Sequence, residues 1–261
     1  MILNNDDLKK LQFKKDNVVV RKVELSSGYY YAKYCTIQDA FRELLGKKIF
    51  DLVGIKCPLY HYVEQAHCVI SEDVKQFDVF YNPFDLEMNG YTLKDVKEKL
   101  ILQLEQGKFT NLNEIYFQID VMHFIDILLS NIDRHISNFG FSLKEDNTGY
   151  LVVYDNADML NEFDKATRPM SIETTEPLSF VFIKKGIEAN EFINNVDEDA
   201  YQYFMKIYDM LNPSRLFLMI KVIEKENNIK FPDKIFVYKS YVRNYLMIGK
   251  ILKEKNKRKK K

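Results

Sequence analysis

The chain has 261 residues, 46% hydrophobic and 29% charged, with 19 Phe and 17 Tyr for a core; this is an ordinary soluble composition with room for one large domain or two lobes. Its 38 basic and 38 acidic residues cancel, but seven basic residues and one Glu fill Lys253–Lys261, leaving the first 252 residues at a net of −6 and without a general nucleic-acid footprint. No apolar run reaches the roughly 18 residues of a membrane span. The opening Met-Ile-Leu-Asn-Asn-Asp-Asp lacks the pattern of a secretory signal, and Cys35, Cys57 and Cys68 suit reduced thiols better than a disulfide framework. A cytoplasmic protein is expected.

Val18 to Leu25 and Tyr29 to Tyr34 flank Ser26-Ser27-Gly28 and read as a β-hairpin. Thr36, with Asp39 three residues on, starts a helix by a near capping box. Phe41, Leu44, Leu45, Ile49, Leu52 and Val53 recur at helical spacing along one buried face. Gly54 and Pro58 end that helix. Tyr60 to Val63, Cys68 to Ser71 and Phe77 to Tyr81 read as short strands.

From Thr92 the pattern turns helical. Asn113 to Leu129 is apolar on most sides and belongs at the centre of a lobe. A loop from Ser130 to Asn138 follows, then a hairpin of Phe139 to Leu143 and Tyr150 to Tyr154 around Asp146-Asn147-Thr148-Gly149. Residues 157 to 190 read as irregular. Helices are expected near Glu198 to Met210, Ser214 to Glu226 and Lys234 to Leu252, and a disordered basic tail from Lys253. The whole is an α+β, two-lobed plan: a β-rich N-lobe over residues 1–85, a helical C-lobe over 86–252 and the tail over 253–261.

The informative stretch is Asn131-Ile-Asp-Arg-His-Ile-Ser-Asn-Phe-Gly-Phe141, followed by Val152-Val-Tyr-Asp155. Asp133 precedes Asn138 by five residues, and Asp155 ends the next apolar run. Phosphoryl-transfer enzymes arrange a catalytic base and two magnesium ligands this way. Asp133 would be the base; Asn138 and Asp155 offer the hard oxygens that magnesium prefers. The plainer reading makes Asn131 and Asp133 a cap and turn, and Asp155 and Asp158 turn residues. His135 would order the loop or touch the transferred phosphate. Lys33 on the second strand reads either as a phosphate-binding cation steadied by Glu43 or as an exposed pair. Lys14 to Asn17 is the better-placed phosphate loop, although it lacks glycine. Cys57, His61, His67 and Cys68 have residue types suited to zinc, but His67 and Cys68 are adjacent and point to opposite faces of a strand.

These motifs resemble the HipA-like serine/threonine kinases of bacteria, including CtkA-type kinases, with a more distant likeness to phosphatidylinositol 3/4-kinases. Asn-x-Asp-Arg-His-x-x-Asn-Phe-Gly is matched closely; in the second motif Ala157 and Met159 replace the usual Gly and Ser. Tyr-Tyr-Ala-Lys33, Phe-Arg-Glu43-Leu-Leu and Leu-Val-Gly-Ile-Lys-Cys-Pro extend the resemblance, which covers about residues 13 to 160. It implies a protein-kinase-like fold, ATP and magnesium as cofactors, and a protein substrate with a Ser or Thr acceptor. It also implies Lys33 on the phosphates with Glu43 as its partner, an antitoxin or helper protein, and location in a bacterial cytosol or as a secreted effector in a host cell. A pseudokinase acting as a regulatory binding module, and a lipid or small-molecule kinase, are the alternatives.

Overall fold

Alternating side chains and a two-residue turn at Ser26-Ser27 fold the first hairpin, β1 (Val20–Leu25) with β2 (Gly28–Tyr34). Gly28 carries the positive φ of 136° that lets the chain reverse there. In the computed structural model described here, the sheet continues through β4 (Cys68–Glu72) to β3 (Tyr60–Val63), all neighbours antiparallel in the order β1-β2-β4-β3. The structure describes residues 3–12, 20–73, 79–81, 109–131, 134, 138–160, 187–231 and 234–259. The expected phosphate loop Lys14–Asn17, the lobe junction near 82–91 and the helix from Thr92 lie outside them.

A helix that sequence reading did not anticipate, α1 (Asn5–Gln12), closes one end of this sheet. Its Asp7 carboxylate accepts the Ser26 N–H (2.8 Å) and hydroxyl (2.6 Å), pinning the hairpin turn. Helix α2 (Ile37–Leu52) starts where expected. Thr36 and Asp39 form a reciprocal capping box, with the shorter Asp doing what Glu usually does. More than one face of α2 is buried, because Arg42 and Glu43 join Phe41, Leu44, Leu45, Ile49 and Phe50 inside. The helix is wedged between the first sheet and the rest of the molecule.

The second sheet has the order β5-β6-β7, built from β5 (Val79–Tyr81), β6 (Phe139–Leu143) and β7 (Gly149–Val153). β5, an N-lobe strand by sequence, therefore pairs with the β6–β7 hairpin. Helix α3 (Leu112–Leu128) lies under it and is buried on nearly every side. Among the described residues four further helices complete the core: α4 (Ile187–Asn195), α5 (Glu198–Met210), α6 (Pro213–Asn227) and α7 (Lys234–Lys259). Phe204 of α5 stacks on Phe124 of α3, and Phe231 between α6 and α7 stacks on Phe41 of α2.

Two expectations are corrected. The irregular stretch to 190 ends earlier, since α4 begins at Ile187. The basic tail continues α7 to Lys259 instead of forming a disordered end. Repulsion among its charges is offset because Lys255 is buried and donates to the carbonyls of Ile193 (2.6 Å), Asn194 and Val196 at the end of α4, while Lys259 pairs with Glu198. Among the described residues no helix is long and apolar enough to cross a membrane.

Candidate active site

Lys33 sits next to the end of β2, opposite Val69 of β4 and Val20 of β1. Its ammonium lies 2.9 Å from a Glu43 carboxylate oxygen on α2 and 2.5 Å from an Asp155 oxygen just beyond β7. Strand pairing fixes Lys33, and core packing fixes Glu43. Asp155 adopts a left-handed backbone, φ 55°, which a short polar side chain tolerates and which ends the strand's alternation. Three residues from distant parts of the chain thus meet at one point.

They line a cavity of about 280 Å³ whose other walls include Val20, Tyr31, Tyr60, Val69, Phe80 and Tyr154. Ser71, Glu72 and Asp73 at the end of β4 add polar and acidic groups to the lining, and the aromatic and aliphatic walls between them and Lys33 suit a ligand with a flat ring and a charged tail. Exposure separates the two carboxylates. The Glu43 side chain is 1% exposed and saturated by Lys33 and by the Asn156 N–H at 2.7 Å, whereas the Asp155 side chain keeps 41% exposure and can take a ligand.

The electrostatics follow from this geometry. Burial raises the Glu43 carboxyl to about 7, with Lys33 opposing and Asp155 reinforcing the rise. Burial works against the charged form of Lys33, but the two carboxylates outweigh it and hold its pKa above the ordinary value. Desolvation pushes Asp155 upward, yet the Lys33 charge, its hydrogen bond and Arg134 win and hold it below the usual carboxylate range.

Strand register brings Asn138 to the same end of the hairpin. Phe139 pairs with Val153, and one step further the Tyr154 N–H donates to the Asn138 carbonyl at 3.0 Å. Asn138 is buried, and Asp155 follows directly on Tyr154. An amide oxygen and a carboxylate at one hairpin end fit magnesium, which takes few protein ligands and completes its shell with phosphates and water. Among the described residues no group of three His, Cys, Asp or Glu side chains is placed to hold a metal, and that includes Cys57, His61, His67 and Cys68. Asp133, His135, Lys14 and Asn17 lie outside the described residues.

Sequence reading gave no role to the residue that ties this region together. Arg134 is wholly buried and forms two hydrogen bonds to Asp126 of α3 (2.9 and 3.2 Å). It also donates to the carbonyls of Asn138 (2.9 Å) and Tyr154 (2.8 Å) and to the Asn156 side chain (2.7 Å). One guanidinium therefore links α3, the loop and both strands of the hairpin. Asp126 also accepts from the Asn131 side chain at 2.8 Å. The signal was present in the sequence: an Asp on the buried part of a mostly apolar helix requires a cationic or donor partner. Asn156, which holds Glu43 from the other side, left no comparable mark.

No family model and no curated protein matches the sequence. Solved structures do share the fold. The proinflammatory kinase CtkA of Helicobacter pylori superposes with a TM-score of 0.61 at 15% identity, over 92% of this chain and 93% of that one. HipA of a Shewanella oneidensis MR-1 toxin–antitoxin system, solved with HipB and operator DNA, superposes with a TM-score of 0.57 at 11% identity. That match covers 90% of this chain and 64% of HipA. The chain has the α+β fold of CtkA and HipA, the architecture that its Asp-Arg-His and Tyr-Asp-Asn motifs led us to expect.

Proposed function

We propose that the chain is an ATP-dependent serine/threonine protein kinase of the HipA-like type. The observation that carries this reading is the Lys33 ammonium held between Glu43 and Asp155 in a cavity with aromatic and aliphatic walls. The kinase fold supports it, and the spacing of Asp133, Asn138 and Asp155 supplies the remaining chemistry.

In this mechanism Lys33 binds the α- and β-phosphates, and Glu43 keeps it in place. Asp133 accepts the proton of the acceptor hydroxyl, His135 orders the loop beside it, and Lys14 and Asn17 contribute to the phosphate loop. Asn138 and Asp155 would hold magnesium, which when bound neutralises charge on the transferred phosphoryl group. Arg134 fixes Asn138 and Asp155 relative to α3 through the adjoining carbonyls. The aromatic walls of the cavity exclude water and receive the base. A protein substrate rests on the resemblance of the sequence motifs, and the HipA structure, solved with HipB, supports a helper protein of the antitoxin kind as a partner.

The test is transfer of labelled γ-phosphate to protein from a cell lysate, with acid hydrolysis to identify the labelled residue. Lys33→Met, Asp133→Asn and Asp155→Asn are each expected to lower transfer at least about 100-fold with the fold retained. Wild-type-like transfer by any of the three removes that residue's role; label in a lipid extract and none on protein replaces the substrate class. One observation favours a binding module as a second reading: residues Lys14 to Asn17 contain no glycine for close approach of backbone to phosphate.

A further inference from the structure

Six of the nine exposed large apolar side chains among the described residues sit on the last two helices: Leu218, Val222, Ile235, Phe236, Leu246 and Met247. Ile235 is 64% exposed, and Leu218 and Leu246 are 59% exposed. The helices α6 and α7 run antiparallel, as three contacts show. Lys234 pairs with Glu224, the Tyr238 ring meets Phe217 at 5.6 Å, and the Tyr241 hydroxyl donates to the Leu211 carbonyl. With about 100° of rotation per residue, Leu218 and Val222 lie on one rotational side of Phe217, and Ile235 and Leu246 lie on the same rotational side of Tyr238, with Phe236 and Met247 further round. In an antiparallel pair, stripes so placed open in one direction. Leu218, Val222, Ile235 and Leu246 therefore share one convex face, and Phe236 and Met247 border it.

That face is also basic. Lys221, Lys225, Lys239, Lys250, Lys253 and Lys257 are exposed on the same two helices. The exposed acids there are Glu226, held by Lys48 at 2.8 Å, and Glu254. On α7 the basic and apolar residues interleave: Lys239 and Lys250 lie between the ridge of Ile235 and Leu246 and the ridge of Phe236 and Met247. The helical continuation to Lys259 extends the charge along the same rod, while the first 252 residues carry a net of −6. The molecule is electrically polarised toward this end.

We infer that the α6–α7 face seats the protein on an anionic lipid surface. Apolar tips entering the headgroup boundary combine with ammoniums that bend back to lipid phosphates in the way interfacial helices bind. A deformable surface meets a convex, interleaved face without a matching groove. Nucleic-acid phosphates would satisfy the lysines and leave the apolar tips in water. None of its residues lines the cavity around Lys33 and Asp155, so this inference does not depend on the kinase reading.

The experiment is co-sedimentation of the full chain with phosphatidylcholine vesicles, alone or containing phosphatidylserine. Binding is expected only to the anionic vesicles and is expected to weaken with salt. Since each basic residue near such a surface is worth roughly fivefold in partitioning, Lys239→Gln/Lys250→Gln is expected to weaken binding roughly 25-fold. Ile235→Ser/Leu246→Ser is expected to weaken it comparably. All four positions are exposed, so both variants should keep the wild-type circular dichroism, and Asp155→Asn should bind as the wild type does. Equal sedimentation with neutral vesicles, or none with either kind, overturns the inference. So does full binding by either double variant, or capture by polyglutamate without capture by anionic vesicles.

Discussion

Glu43 has two tasks that pull its proton in opposite directions. Holding Lys33 requires a carboxylate, but 1% exposure raises its pKa to about 7. Its folded-state pKa lies above the unfolded value of about 4.3, so the folded protein binds a proton that the unfolded chain releases. Its contribution to stability is full below that unfolded value and falls as pH rises toward 7. Activity runs the other way, because the Lys33–Glu43 ion pair forms only as Glu43 ionises. A rate profile for phosphate transfer should therefore rise through an apparent pKa near 7, and Glu43→Gln should be both slow and flat across that range. A rise of unchanged position in Glu43→Gln would assign the titration to another group, Asp133 being the first to examine. Asp155 contributes oppositely to stability: its lowered pKa favours the fold above its unfolded value and ceases to do so in acid.

At the level of elements, the site depends on α2 approaching the end of β7 closely, and that approach depends on Gly46. A Cβ built there would stand 2.6 Å from the Asn156 Cβ. Asn156 donates its N–H to Glu43, so any shift is transmitted to Lys33. In Gly46→Ala, overpacking costs about 1–3 kcal/mol and improved helix propensity returns at most about 1 kcal/mol. We expect a lower melting temperature together with a lower transfer rate, measured by calorimetry and label transfer; an unchanged rate would show that the α2 contact is not needed for the site. This dependence explains what the sequence made legible. Capping at Thr36, the apolar period of α2, the all-round apolar α3 and the hairpin on either side of Asp146 to Thr148 are local signals, and each element forms within a residue or two of its expected place. Lys33, Glu43 and Asp155 were picked out by spacing and resemblance, and the structure brings them together. What escaped depends on partners far along the chain. Helix α1 is short and polar and takes its place from Ser26, 19 residues beyond Asp7. The basic end of α7 read as repelling charge because the carbonyls of α4 that receive Lys255 are 59 or more residues away.

Across the whole molecule, the Lys33–Asp155 contact closes a loop of 122 residues between the first sheet and the second. Beside it, the Lys56 carbonyl accepts the Val153 N–H at 2.9 Å, and the Tyr203 hydroxyl of α5 donates to the Val53 carbonyl at 2.9 Å. A ligand that touches Lys33 and Asp155 at once therefore binds both sheets and stabilises their union, which a ligand confined to either would not. At a concentration 100-fold above its dissociation constant such a ligand adds about 2.7 kcal/mol, or a rise of about 5–10 °C in melting temperature for a chain of this size. Magnesium with ATP should produce that rise in the wild type, and ATP with a chelator should produce less. Asp133→Asn should keep the full rise while losing transfer, because a base is needed for reaction and not for binding; Lys33→Met should lose both. A rise without transfer in the wild type would make the protein a nucleotide-binding module, and no rise at any ATP concentration would remove the nucleotide from the cavity between β2 and β7.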